Sequence, residues 1–408
     1  MIRFFVANFR VLLLMALVLV APMLAALALS APGFAQSPTL AQPPRSPLAG
    51  IRSWGYQLQK ADAGVIAASP YDLVVIDYSK TGEDDEAFTP EDVRRMQVKP
   101  DGSRRIVMAY LSIGEAESYR YYWNVDWAEP LRVAEGAITD EDDEEEPAAD
   151  GKAKKGAGKR AATTAKLRTL RVPRLSAPIW LGRENETWAG NFLVRYWEKS
   201  WQNIIFGTPS AYLDRIVAAG FDGVFLDRVD AYTGVTGERD SGKAEMVQFV
   251  TALSAHARRL KPGFAILPQN GEELLAEPGY LAAIDGIAKE DLLFGHPNEG
   301  QPNPAAAVAT SVERLNLASR ANLPVLVVEY VLAKEKTDPL SADLLGKGFI
   351  PYFGIRSLDR LVLPEDLKPA AVLAAAAAAA AKSGKASATR SNPVRKIKGK
   401  AAAKGGKR

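Results

Sequence analysis

Val74-Val75-Ile76, Val224-Phe225-Leu226 and Val325-Leu326-Val327-Val328 are each apolar at every successive position. A strand with one face in water alternates apolar and polar residues, whereas a strand covered on both faces does not need to. These runs therefore predict strands sandwiched between other layers, the condition of a parallel sheet. Further strand-like runs are Arg52–Gln59, Ile106–Ile113, Asn191–Tyr196, Phe264–Pro268, Asp285–Lys289 and Phe349–Phe353. With Asp72–Tyr78, Gly223–Asp227 and Pro324–Tyr330 around the three dry runs, they make nine candidates.

Helical patterns separate them. Thr89-Pro90-Glu91-Asp92 supplies an N-cap, a proline in the first turn and acids at the positive end of the helix dipole. Thr208-Pro209-Ser210 opens another helix that stops at Gly220, and Ser241–Leu260 has apolar residues at helical spacing before Pro262. Strand alternating with helix predicts parallel pairing through right-handed crossovers. Eight such units over this length predict a (β/α)8 TIM-like barrel, with the first or last of the nine strands peripheral. An open doubly wound sheet is the alternative, but no strand is followed by a Gly-rich dinucleotide turn.

The barrel is expected over residues 50–365, because three other segments read as unlike folded protein. Arg3 and Arg10 precede the apolar run Val11–Leu29, and small residues stand at Gly33 and Ala35. This is the pattern of a signal peptide spanning 1–35, with an uncleaved membrane anchor as the other reading. Residues 36–49 then form a Pro/Ser/Gln-rich linker. At 136–176 an acidic block from Asp140 to Glu146 is followed by a basic one from Lys152 to Arg174, a charged insertion that is expected to be disordered. Residues 366–408 carry a poly-Ala run and then Lys and Arg without an acid. Such a tail is expected to be disordered and to suit anionic envelope polymers or lipid rather than specific nucleic acid. Location is expected to be secreted or periplasmic, and the protein is expected to be a monomer.

Without the insertion and the tail, the remainder is acidic, and its acids are not scattered. Asp77, Glu115, Glu117, Asp227, Asp230, Glu290, Asp291 and Glu329 all fall at or just past strand ends. The C-terminal strand ends of a parallel barrel form its active-site face. Asp227, closing Gly220-Phe-Asp-Gly-Val-Phe-Leu-Asp227, and Glu290, closing Ile284-Asp-Gly-Ile-Ala-Lys-Glu290, are the sharpest pair. Cleavage of a glycosidic bond calls for two carboxyl groups, one protonating the leaving oxygen and the other attacking the sugar or activating water.

Other chemistries are poorly supplied. There is no cysteine, and of the two histidines His256 sits in a charged helical pattern while His296 lies in a loop. That disfavours thiol and Ser-His-Asp catalysis, and no HExxH run, Cys/His cluster or calcium-loop spacing implies a metal. No cofactor is expected. Sugar faces pack on aromatic rings, and Trp54, Tyr110 and Tyr330 are the aromatic residues singled out for that role; the other tyrosines and tryptophans read as core. Gln269-Asn270 offers donors and acceptors for hydroxyl groups. Asp77, Glu115, Glu117, Asp230 and Glu329 complete the expected substrate-binding set.

Taken together, Trp54-Gly-Tyr-Gln-Leu-Gln59, Asp72-Leu-Val-Val-Ile-Asp-Tyr-Ser79, Ala109-Tyr-Leu-Ser-Ile-Gly-Glu-Ala-Glu117, Gly220–Asp227, Pro268-Gln-Asn-Gly271, Glu290-Asp-Leu-Leu-Phe294 and Val328-Glu-Tyr330 resemble the endo-α-1,4-polygalactosaminidase-type glycoside hydrolases, family 114 and its bacterial and archaeal relatives. The resemblance implies a TIM barrel and a secreted endo-acting hydrolase of a galactosamine-type polysaccharide. It places the strand-end Asp at Asp227 and the later Glu, as acid/base, at Glu290. A non-catalytic polysaccharide-binding barrel of the cell envelope is the alternative function.

Overall fold

In the computed structural model, residues 46–134, 167–235, 239–296 and 298–369 are described. The strands in chain order are β1 (Trp54–Gln57), β2 (Leu73–Ile76), β3 (Ile106–Ser112), β4 (Glu115–Glu117), β5 (Ala128–Ala134), β6 (Leu167–Pro173), β7 (Leu181–Glu184), β8 (Asn191–Val194), β9 (Gly223–Asp227), β10 (Ala265–Pro268), β11 (Ile287–Glu290), β12 (Val325–Glu329) and β13 (Ile350–Phe353).

Eight of these are parallel and follow one another in space as they do in sequence. One sheet has the order β1-β2-β3-β9-β10 and a second the order β11-β12-β13. The two are stitched together by a parallel bridge between Gln269 and Ala288. The dry runs are buried as expected: every residue of β2 and of β12 is inaccessible, because helices cover one face and opposing strands the other. The α/β class and the parallel sheet match the sequence reading, but a continuous closed ladder is not present. No strand register joins β13 to β1. Pro351 removes a backbone donor from β13, and the Trp54 indole takes the Ile350 carbonyl at 2.9 Å in place of a ladder bond.

The surplus strand is neither the first nor the last, contrary to the sequence expectation. It is β8, which pairs antiparallel with β4 and β7 in a separate three-stranded sheet. Its burial alternates along the strand, the mark of a sheet covered on one face. This excursion, inserted between β3 and β9, also holds the antiparallel pair β5–β6. Residues 167–176, expected within the disordered insertion, are therefore a strand and turn. Arg171 is tied to Glu184 of β7 by its backbone N–H and its guanidinium, so a basic side chain here has a fixed partner. Residues 1–45, 135–166 and 370–408, which hold the expected leader, most of the linker, the rest of the insertion and most of the tail, lie outside the described residues. The ends of linker and tail that are described are ordered, contrary to expectation: Leu48 is buried, and Lys368 bridges to Ala333.

The helix over Pro90–Met96 starts from a capping box between Thr89 and Asp92. That over Gly242–Leu260 matches its sequence pattern closely. The helix expected from Thr208 begins later, at Tyr212, because Thr208 and Ser210 bond to each other through their hydroxyls instead of capping. Among the described residues no helix is long and apolar enough to cross a membrane.

Candidate active site

The parallel strands deliver their last residues to one end of the sheet, and three of them turn in the same unusual way. Arg228 follows β9, Asn270 lies just past β10 and Asp291 follows β11, and each is left-handed, with φ of 59°, 60° and 52°. Non-glycine residues rarely adopt this conformation, and such strain gathers where the surroundings hold it for a purpose. Here each reversal comes directly after a side chain presented to the site: Asp227, Gln269 and Glu290. Gly114 makes the first turn possible, because a Cβ there would lie 2.2 Å from the Arg228 carbonyl oxygen.

Asp227 accepts the Arg228 backbone N–H on Oδ1 at 2.8 Å and the Tyr110 hydroxyl on Oδ2 at 2.5 Å. Burial pushes its pKa up to about 7, although the Tyr110 bond and the Arg228 charge work against that rise. Glu290 accepts the Gln269 side-chain N–H on Oε2 at 2.7 Å and the Tyr330 hydroxyl on Oε1. Its backbone N–H is held by Asn270 Oδ1 at 3.2 Å. Burial raises the Glu290 carboxyl too, again opposed by the phenol.

Tyr56 bears electrostatically on both carboxylates. Its hydroxyl points to Gln269 Oε1 at 3.4 Å, which leaves the amide nitrogen of Gln269 facing Glu290. Burial first, and then the Asp227 and Glu290 carboxylates, hold the Tyr56 phenol well above its usual range. From sequence alone this tyrosine reads as core. It and Trp54 share a strand face, being two residues apart, and Tyr56 is the nearer to the C-terminal end. Trp54, expected to bind sugar, is instead wholly buried, stacked against Phe225 and Tyr56 beneath the site.

The remaining acids fall into two supporting clusters. Asp77 and Glu117 are buried and share Arg120, at 2.8 Å and 2.7 Å. Arg120 is itself buried, lies under the Tyr119 and Tyr212 rings, and donates to the Gly82 carbonyl. Its guanidinium pays for burial through these two carboxylates, which hold its pKa well above the usual range. Glu115, also buried, accepts from Asn185 at 2.7 Å and Asn191 at 3.2 Å and pairs with Arg228 at 2.9 Å. Asp230 reaches the same arginine at 3.6 Å and stays partly exposed.

Asp77, Glu115 and Glu117 thus brace the site, where the sequence suggested sugar contacts. Glu329 is fully buried and accepts the Leu293 and Phe294 backbone N–H groups at 2.7 Å and 3.1 Å, fixing the loop after β11; burial raises its pKa to about 7. Arg120 and Arg356, which the sequence reading did not single out, come from irregular segments where no periodicity marks them. His256 is bound to Asp214 on the outer helices. Among the described residues no group of His, Cys, Asp or Glu is arranged to hold a metal ion.

Comparison with known proteins places the chain in a family. The model of glycoside-hydrolase family GH114 matches residues 138–367, more than half of the chain. An uncharacterized protein of Deinococcus radiodurans is 32% identical, covering 82% of this chain and 92% of that protein. One from Methanocaldococcus jannaschii is 32% identical over 76% of this chain and 77% of that protein. Among solved structures, the glycoside hydrolase domain of PelA from Pseudomonas aeruginosa superposes with a TM-score of 0.51 at 17% identity, covering 78% of this chain and 100% of that domain, a likeness of fold. The chain belongs to glycoside-hydrolase family GH114 and is a glycoside hydrolase.

Proposed function

We propose that the protein is an endo-acting glycosidase of a galactosamine-type polysaccharide, with Asp227 and Glu290 as its reacting pair. The observation that carries this reading is the shared environment of the two carboxylates. Both sit at strand ends, both bear on the Tyr56 phenol, and burial raises both. In the proposed reaction Glu290 gives its proton to the leaving glycosidic oxygen while Asp227, ionised, attacks the anomeric carbon or stabilises its developing positive charge. In a covalent route, water then displaces Asp227 and returns a proton to Glu290. The assignment of acid to Glu290 rests on the family resemblance, since each carboxylate has one fixed N–H donor and one phenol.

The amino-sugar substrate follows from the same resemblance and from charge. De-N-acetylated galactosamine units are cationic, and an ammonium group near Asp227 would favour its ionised form. The eight strands in consecutive order support a TIM barrel with its seam between β13 and β1. We further propose export through the N-terminal apolar segment, a monomer, and a basic tail that contacts anionic envelope polymer or lipid.

Reducing-end release from partially de-N-acetylated polygalactosamine, chitosan and a neutral galactan tests the substrate. The expected result is new reducing ends and falling viscosity with the first polymer. Cleavage of the neutral galactan alone would contradict the amino-sugar reading.

A further inference from the structure

The loop after β13 carries Arg356, a residue outside the pair and its direct partners. Its guanidinium lies over the Tyr330 ring, 4.3 Å from the centroid, and pairs with Asp291 at 2.9 Å. Tyr330 in turn donates its hydroxyl to Glu290 Oε1. Asp291 is the left-handed residue next to Glu290, and its own backbone carbonyl is held by the Asn303 amide at 2.8 Å. One cation thus touches two of the groups that adjoin the carboxyl of Glu290: the phenol bonded to it and the like charge beside it.

We infer that Arg356 is a positioning residue for Glu290, acting through Tyr330 and Asp291 to set where its carboxyl sits and at what pH it releases its proton. This rests on the reading of Glu290 as the acid.

The two oxygens of Glu290 are not equivalent. Tyr56 turns the Gln269 amide so that only a donor faces Oε2. A hydroxyl can donate or accept, whereas an amide N–H cannot accept. The proton of neutral Glu290 therefore resides on Oε1, against Tyr330, and the placement of the Tyr330 ring governs that oxygen. Arg356 is what fixes the ring face. An arginine suits this position because its planar fork stacks on an aromatic ring and pairs with a carboxylate at the same time.

The charges around Glu290 give the expected sign. Asp291 disfavours its ionised form, while Arg356 and Lys289 favour it. Lys289 is engaged by Glu272 at 3.4 Å, Glu299 approaches Arg356 at 3.6 Å, and His296 and Glu329 act on Asp291 rather than on Glu290 directly. Removing the Arg356 charge leaves Asp291 uncompensated, so Glu290 must hold its proton to higher pH.

The test is a carboxyl-13C NMR titration of the glutamate-labelled full chain, with the Glu290 resonance assigned by its loss in Glu290→Gln. Arg356→Gln is expected to move the Glu290 midpoint up by about 0.5–1 pH unit. Arg356→Lys, which keeps the charge, is expected to stay within about 0.3 unit of wild type by the same reasoning. Arg356→Met replaces the Gln variant if the latter does not fold, with the same expected rise. An unmoved midpoint in the neutral variant overturns the inference, whatever happens to activity. The reading beneath it is tested separately: a Glu290→Gln enzyme that still turns over polymer would remove the acid from Glu290 without altering the titration.

Discussion

The two carboxylates of the site are held by the same kinds of group but from different distances along the chain. Asp227 takes its fixed donor from the very next residue, the Arg228 backbone, and its phenol from the neighbouring strand β3. Glu290 takes both from other elements, Gln269 past β10 and Tyr330 past β12, with Arg356 behind them. The Asp227 arm is therefore largely set once β3 and β9 pair. The Glu290 arm is assembled from four separate segments, and its geometry depends on side chains that packing must bring into place. An arm built on backbone is harder to retune by substitution than one built on side chains.

The largest effect expected is loss of chemistry from either arm. Asp227→Asn and Glu290→Gln should each lower kcat by several orders of magnitude while circular dichroism and the thermal midpoint show a folded chain, since the two groups work as a unit. Near-normal turnover in one of them would assign its role elsewhere, with Glu115 as the next residue to substitute.

Stability separates the arms next. Arg120 is buried between Asp77 and Glu117 and lies 6.0 Å from the centroid of the Tyr110 ring, whose hydroxyl bonds to Asp227. Arg120→Met strands two buried carboxylates and should cost about 3–5 kcal/mol in a denaturant titration at neutral pH. Arg356 is about a third exposed, so its neutral variants should cost on the order of 1 kcal/mol or less in the same titration. Equal costs would mean that the two arginines play the same structural part.

The phenols give the smallest and most informative contrast. The Tyr110 bond lowers the pKa of Asp227, so Tyr110→Phe should push it further above about 7. At pH 7 more Asp227 is then protonated, and kcat/KM should fall roughly tenfold, consistent with loss of one hydrogen bond to a charged group, and recover in part as pH rises. The Tyr330 bond lowers the pKa of Glu290, so Tyr330→Phe should move that carboxyl up as well. A rise favours the protonated form that an acid needs, so the loss there should be the smaller of the two. A reversed order would exchange the roles of the carboxylates.

How much of this was legible in sequence follows from where each residue stands. Asp227 and Glu290 close strand-like runs, Val-Phe-Leu-Asp and Ile-Ala-Lys-Glu, so strand periodicity and the rule that sites gather at C-terminal strand ends pointed to them. Tyr110 lies two residues before Ser112 at the end of a long run and was found the same way. Tyr56 and Trp54 show the limit: alternation puts both on one face, but depth decides which reaches the site, and that depends on the strand's end. Arg120 and Arg356 follow strands at a distance, in segments whose course is set by tertiary contacts, so their sequence neighbourhood carried no signal. Likewise β8 has the composition of a core strand, and only its pairing with β4 and β7 removes it from the parallel set.

The central claim is that two buried carboxylates share the chemistry, one needed ionised and one needed protonated. The pH dependence of kcat/KM, measured on a polymer that the enzyme cleaves, tests it most directly, because it reports the pair in the free enzyme. With Asp227 raised to about 7 and Glu290 raised above its usual range, kcat/KM should be bell-shaped, with its limbs displaced upward from the ordinary range of carboxyl groups. A profile that keeps rising down to pH 4–5, the ordinary range of carboxyl groups, would contradict the account.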